Sequence, residues 1–162
     1  MCQQGPFDVR RDEPFADDAA IAAMVVEFEA CRWPHVRWTH RCHLAAAACY
    51  LARFPYETAL ANIRDGIQRY NRACGTGDGY SETITQLYMK LLRARLARAA
   101  GEPLVSIVDE LTRTHPMAWV RELYSPELLA SRAAIDGWAE PDRRPLPPEI
   151  AGTGHDRDSR VQ

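Results

Sequence analysis

The sequence lacks several features that would place it in a specialised class of protein. No apolar run approaches the roughly 20 residues that a membrane-spanning helix requires. Charge is nearly balanced, since 20 Lys and Arg stand against 22 Asp and Glu to give a formal net charge of -2. This balance gives no reason to expect nucleic acid or an anionic membrane as a partner. The first six residues lack the basic and apolar regions of a secretion signal, so we expect a cytoplasmic protein.

Two further features that the sequence lacks restrict the possible fold classes. No convincing alternation of polar and apolar residues is present, which argues against strands. Cysteine occurs only five times in 162 residues, an odd number scattered through helix-like contexts. This pattern favours reduced thiols over a disulfide framework. The chain is of ordinary globular composition, with 46% hydrophobic residues, and its length fits one domain.

Helical periodicity fills the middle of the chain. Five or six segments with this period, separated by short loops rich in glycine and proline, lie between residues 16 and 140. The first begins after Asp17 or Asp18 and ends by Pro34, the second is capped by Thr39 and stops before Pro55, and later ones cover about 56–74, 81–100, 104–112 and 117–123, with a last one opened by Ser125. The sequence therefore predicts an all-α, single-domain antiparallel bundle of five to six helices. Residues 1–15 are expected to be a disordered N-terminal segment, and 141–162 a proline-rich disordered tail.

The most informative residues are His40 and His43, at the start of the alanine-rich second helix. Residues three positions apart lie on the same face of a helix, and this face continues through the apolar residues Leu44, Ala47 and Leu51. Both imidazoles should therefore point toward the protein interior. Because buried polar rings need partners, the pair predicts a site.

The fourth predicted helix supplies neighbours for this pair. On a helical wheel Tyr80 and Ser81 fall on the side of the apolar stripe, whereas Glu82 falls nearly opposite. If the second and fourth helices pack near their N-terminal ends, His40, His43, Tyr80 and Ser81 converge. Two helix N-termini would then favour negative charge in a polar pocket.

Three interpretations of the histidine pair remain open. As core residues, the rings would each donate an N–H to a backbone carbonyl or a hydroxyl. As acid/base groups, their unperturbed pKa values near 6.5 suit proton transfer at about pH 7. As ligands of a divalent metal, they would need a third or fourth ligand, for which the candidates are Glu29, Glu82, Cys42, His35 and Cys31.

Several short motifs carry a resemblance to a known family. They read Trp38-Thr39-His40 with His43-Leu44, Gly79-Tyr80-Ser81-Glu82-Thr83-Ile84-Thr85, and Tyr124-Ser125-Pro126-Glu127-Leu128-Leu129. Over about residues 20–143 the chain resembles a family of small, uncharacterised bacterial all-helical proteins. That family's pattern carries a histidine where this chain has Ser81. The resemblance implies a cluster of three imidazoles in the family and a weakened metal site in this member, and it brings no established activity.

Together these observations predict a small-molecule enzyme, in a specialised biosynthetic pathway, built around the histidine pair. His40 and His43 would act as general acid and base or bind a divalent metal with Glu29. Tyr80 and Ser81 would orient the substrate, and Glu82 or Glu29 would tune a histidine. The alternative is a non-catalytic module that binds a ligand or another protein and whose histidines are structural. The expected partner is a small molecule, and a homodimer is left open.

Overall fold

The computed structural model describes residues 11–77 and 79–152, which contain α-helices, one 3-10 turn at His35–Arg37 and no strand. The all-α prediction is therefore confirmed for these residues. Within them the helix count is nine, above the predicted five to six, because three short helices follow Leu123. The helices are α1 Asp18–Glu29, α2 His40–Arg53, α3 Tyr56–Cys74, α4 Glu82–Leu96, α5 Leu104–Thr114, α6 Met117–Leu123, α7 Pro126–Leu129, α8 Arg132–Asp136 and α9 Pro148–Ala151.

Local sequence signals account for most helix ends. The Asp17 carboxylate accepts the Ala20 N–H at 2.8 Å and starts α1. Gly75 ends α3 in the left-handed region with φ 72°, which glycine adopts without a Cβ penalty. At the end of α4, the Ala99 N–H bonds to the Leu96 carbonyl at 3.0 Å in the tighter 3-10 pattern. This tightening ends the helix at Leu96, short of the predicted Ala100.

Helix α2 is the centre of the packing, since it contacts α1, α3, α4 and α5. Its middle is a run of buried alanines at 45–48, whose small side chains let neighbouring helices approach closely. Close approach also occurs at Gly66 of α3, where an added Cβ would lie 2.9 Å from the Phe28 ring of α1. Helix α2, which carries the histidine pair at its start, is thereby packed against four other helices.

The predicted disordered tail is wrong for residues 141–152. Asp142 accepts the Ser125 N–H at 2.8 Å, and the Arg143 N–H bonds to the Leu123 carbonyl at 3.0 Å. Ile150 of α9 is 1% exposed and lies in the main core, with α9 against α4. These contacts offset the loss of chain entropy, which composition alone does not reveal.

The predicted N-terminal disorder is also wrong for residues 11–15, because the Arg11 N–H bonds to the Val36 carbonyl at 2.8 Å and Phe15 packs on the core. The rest of both predicted segments, residues 1–10 and 153–162, lies outside the described residues.

Cys31, Cys42 and Cys49 are free thiols, but Cys74 is disulfide-bonded, so the expectation of reduced cysteines is wrong for Cys74. Among the helices that the structure describes, none combines the length and hydropathy needed to cross a membrane.

Candidate functional site

A cavity of about 670 Å³ lies among α2, α3 and α4, within the size range of small-molecule sites. His40 and His43 at the start of α2, and Tyr80 and Ser81 before the start of α4, all line it. These four residues were expected to converge if the N-terminal ends of the two helices met, and the structure brings them to one cavity. Most of the remaining wall is apolar or aromatic, with Trp38, Leu44, Ala47, Ile63, Ile67, Ile84, Tyr88, Met89 and Met117.

The orientation of His43 is fixed from two sides. Its Nδ1 lies 2.8 Å from the Thr39 carbonyl oxygen, one turn back. Because a carbonyl only accepts, Nδ1 carries the proton, and Nε2 is the basic nitrogen of the neutral ring. The ring packs against Trp38, with 4.1 Å between the ring centroids. Trp38 is in turn stacked on Phe28 of α1 at 4.5 Å, so the core of the protein positions this imidazole.

A main-chain carbonyl also orients His40, but through Nε2 instead of Nδ1. Its Nε2 lies 3.0 Å from the His115 carbonyl oxygen, which places the proton on Nε2 and leaves Nδ1 as the basic atom. The edge of the ring meets Tyr88, with centroids 4.7 Å apart. Burial lowers the pKa of His40 and outweighs the hydrogen bond to His115, which raises it. We therefore expect a neutral His40 imidazole at pH 7.

The hydroxyls of Tyr80 and Ser81 are engaged within the protein. Tyr80 donates to a Glu82 carboxylate oxygen at 2.5 Å. Ser81 caps α4 by accepting the Ile84 N–H at 3.4 Å, and it donates to the Ala134 carbonyl at 3.3 Å. Both oxygens can still accept a hydrogen bond from a molecule in the cavity.

Glu82 does not take the position that the helical wheel predicts. It is 5% exposed and receives hydrogen bonds from Arg64 at 2.8 and 2.5 Å, from Tyr80, and from Gln86 at 2.7 Å. Burial raises the pKa of the Glu82 carboxyl, but these donors outweigh burial and lower the pKa to about 2. The carboxylate lines a second cavity, of about 770 Å³, beside Arg64. The predicted tuning of a histidine finds no support in these bonds, which instead hold α3, α4 and Tyr80 together.

Glu29 also lies elsewhere. Its carboxylate accepts the Tyr50 hydroxyl at 2.9 Å, and Glu29 is not among the residues that line the histidine cavity. In the part of the chain that the structure describes, no group of three or more His, Cys, Asp or Glu side chains is arranged to hold a metal ion. The predicted ligand set of His40, His43 and Glu29 is therefore not assembled.

Asp12 and Asn71 are among the lining residues that were missed in the sequence. Asp12, in the predicted disordered segment, reaches the cavity mouth, where it accepts the Thr39 hydroxyl at 2.9 Å and Arg41 Nε at 3.2 Å. No local signal predicts this contact, since its partners are far along the chain. Asn71 is 7% exposed and also lines the cavity. A signal existed here, because Asn71 is a polar residue four positions after Ile67 on the apolar face of α3.

Comparison with known proteins identifies no relative. No model of a protein family matches the chain, and no curated protein or solved structure matches it significantly.

Proposed function

We propose that this protein is a small-molecule enzyme that uses His40 and His43 for proton transfer in the cavity beside α2. One observation carries the proposal: two imidazoles, each oriented by a main-chain carbonyl, line one cavity of about 670 Å³. Such a carbonyl fixes which nitrogen is protonated, which is how acid/base histidines are commonly prepared for catalysis. The apolar wall would exclude water from the reacting groups.

The chemistry follows from what a neutral imidazole can do. A neutral imidazole accepts a proton from a substrate hydroxyl, amine or activated C–H group, and the imidazolium so formed can return the proton to a leaving or developing anion. Tyr80 and Ser81 would orient the substrate through their oxygen atoms. We leave a divalent metal out of the proposal, because the described residues bring no third ligand to the histidines.

A non-catalytic ligand-binding protein is the second candidate. The hydrogen bonds from His40 to the His115 carbonyl and from His43 to the Thr39 carbonyl favour it, since they would also satisfy purely structural rings. The two candidates share the cavity and differ in whether the imidazoles exchange protons with the bound molecule.

Hydrolysis of p-nitrophenyl acetate, which imidazole bases promote, separates the candidates. His43→Asn keeps a donor near the position of Nδ1, and His40→Gln keeps one near Nε2, so each variant can retain its carbonyl bond while losing the basic nitrogen. His115→Gln is the matched control, because it retains the backbone carbonyl and its side chain does not line the cavity. We expect either cavity variant to lose at least about 100-fold in rate, within the usual range for a removed acid/base group. Rates equal to that of the control would contradict the enzyme proposal.

Other predictions from the sequence stay predictions. They are the antiparallel arrangement of the helices, the biosynthetic role, the cytoplasmic location, the resemblance to the bacterial helical family and a homodimer.

A further inference from the structure

The hydroxyl groups of the histidine cavity share one property. Seven side-chain hydroxyls line it, and each donates its single proton to an oxygen of the protein. Tyr80 and Ser81 were described above. The other five bonds run from Thr39 to Asp12 at 2.9 Å, from Thr76 to the Asn71 carbonyl at 3.4 Å, from Thr85 to the Ser81 carbonyl at 2.9 Å, from Tyr88 to the His115 carbonyl at 3.1 Å and from Thr112 to the Val108 carbonyl at 2.7 Å. A hydroxyl that has used its proton can offer a ligand only lone pairs.

His40 and His43, two of the three histidines that line the cavity, follow the same rule. His40 donates from Nε2 to the His115 carbonyl, and His43 donates from Nδ1 to the Thr39 carbonyl. In their neutral forms neither ring has a second proton to give. Other donors in this wall belong to Asn71, whose side-chain amide can both donate and accept, and to the rings of Trp38 and His35.

Positive charge at the cavity is also matched within the protein. Arg41, at the mouth, pairs with Asp12 at 3.2 Å and with Asp109. The start of α2 has the Asp12 carboxylate bonded to Thr39 and Arg41, and the start of α4 has Glu82 in its first turn. These carboxylates already place negative charge at the start of both helices, which opposes the binding of a further anion there.

From these contacts we propose that the cavity selects an uncharged aromatic ligand that donates hydrogen bonds, such as a phenol or naphthol, and rejects carboxylates and phosphates. The ring would lie among Trp38, Tyr88 and Met89, and its hydroxyl would donate to an acceptor of the polar wall. An anionic ligand would lose its hydration and meet seven hydroxyl oxygens whose protons are already donated within the protein. The inference rests on the proposed small-molecule role of this cavity and adds the class of the ligand.

Three matched probes test the proposal on the full chain at pH 7. 2-Naphthol can donate one hydrogen bond, 2-methoxynaphthalene can only accept, and 2-naphthoate is an anion of similar size. Titration calorimetry should give 2-naphthol about three- to tenfold tighter binding than 2-methoxynaphthalene, the effect of one hydrogen bond. 2-Naphthoate should bind at least about tenfold more weakly than 2-naphthol, because its charge must be desolvated.

A pair of variants tests whether 2-naphthol binds in the cavity. Ala47 lines the cavity, whereas Ala52 is exposed on the same helix. Ala47→Phe should fill the cavity and weaken 2-naphthol binding at least about tenfold, while Ala52→Phe should leave it unchanged. Circular dichroism of both variants checks that each is folded, and Ala47→Leu replaces Ala47→Phe if the larger side chain prevents folding.

The possible results distinguish a wrong ligand class from a wrong function. If 2-naphthoate binds as tightly as 2-naphthol, or 2-methoxynaphthalene equals it, the proposed ligand class is wrong while the small-molecule cavity stands. If none of the probes binds, or if Ala47→Phe leaves binding unaffected, the proposed ligand class is wrong, and the proposed function then depends on the p-nitrophenyl acetate rates of the histidine variants.

Discussion

Glu82→Gln is the substitution whose effect can be worked out most fully from the structure. The carboxylate is 5% exposed and holds Arg64, Tyr80 and Gln86 at the start of α4. Its pKa is about 2 in the folded protein against an ordinary value of 4.5. Each unit of difference between the folded and unfolded pKa values is worth about 1.4 kcal/mol, so the depressed pKa corresponds to about 3 kcal/mol of folding free energy at pH 7. Glutamine cannot replace the charge, so the variant should lose about that amount.

The pH dependence gives the sharper measurement. Because the folded-state pKa is depressed, the stabilisation is fully present above pH 4.5 and disappears as the pH falls through about 2. Urea unfolding of both proteins from pH 7 to pH 2 should show the free-energy difference shrinking from about 3 kcal/mol toward zero. Most of the change should lie between pH 4.5 and 2.

A surface ion pair supplies the control. Glu110 accepts from Arg95 at 2.7 Å, but its side chain is 40% exposed. Glu110→Gln should therefore cost no more than about 1 kcal/mol at pH 7. A free-energy loss for Glu82→Gln that stays constant across the pH range would refute the reasoning, because the loss would then come from packing and not from the charge.

Three further predictions concern the fold and the histidine pair. Gly66→Ala should destabilise the protein by about 1–3 kcal/mol in urea unfolding, because its Cβ would lie 2.9 Å from the buried Phe28 ring, and an unchanged midpoint would contradict the packing of α1 on α3. Ile150→Ala should cost about 2 kcal/mol or more, whereas a tail that contributes nothing to the core would tolerate it without loss. Burial lowers the pKa of His40, so the unfolded chain binds more protons near pH 6 and the wild-type melting temperature should fall between pH 7.5 and 5.5 by more than that of His40→Gln. Equal falls in the two proteins would show that His40 is not buried in its neutral form.

Much of the helical framework was predictable, because its signals are local. The Asp17 cap, the stop before Pro55 and the glycine after Cys74 each act within one or two turns of the chain. The inward face of His40 and His43 follows from the same periodicity. The helix opened by Ser125 was predicted from its cap, whereas α8 and α9 were not, since segments of four or five residues show too little of a period.

The candidate site was predictable only in part. Placing Tyr80 and Ser81 beside the histidines required the adjacency of α2 and α4, which periodicity suggests but cannot establish. The helical wheel predicted that Glu82 lies on the outer face of α4. In the structure its carboxylate is buried and accepts hydrogen bonds from Arg64 of α3. Asp12 was assigned to a disordered segment, because its partners Thr39 and Arg41 lie far along the chain.

The amino-acid sequence alone therefore specified the all-α class, most ends of the long helices and the shared face of His40 and His43, because each depends on interactions between residues a few positions apart. Long-range packing gave the protons of Thr39, His40, Ser81 and Tyr88 their acceptors. It also put Asp12 at the cavity mouth and Glu82 beside Arg64, and it folded residues 141–152 onto the core. These features depend on acceptors and apolar surfaces contributed by distant segments, and no local pattern encodes which distant group will be the partner.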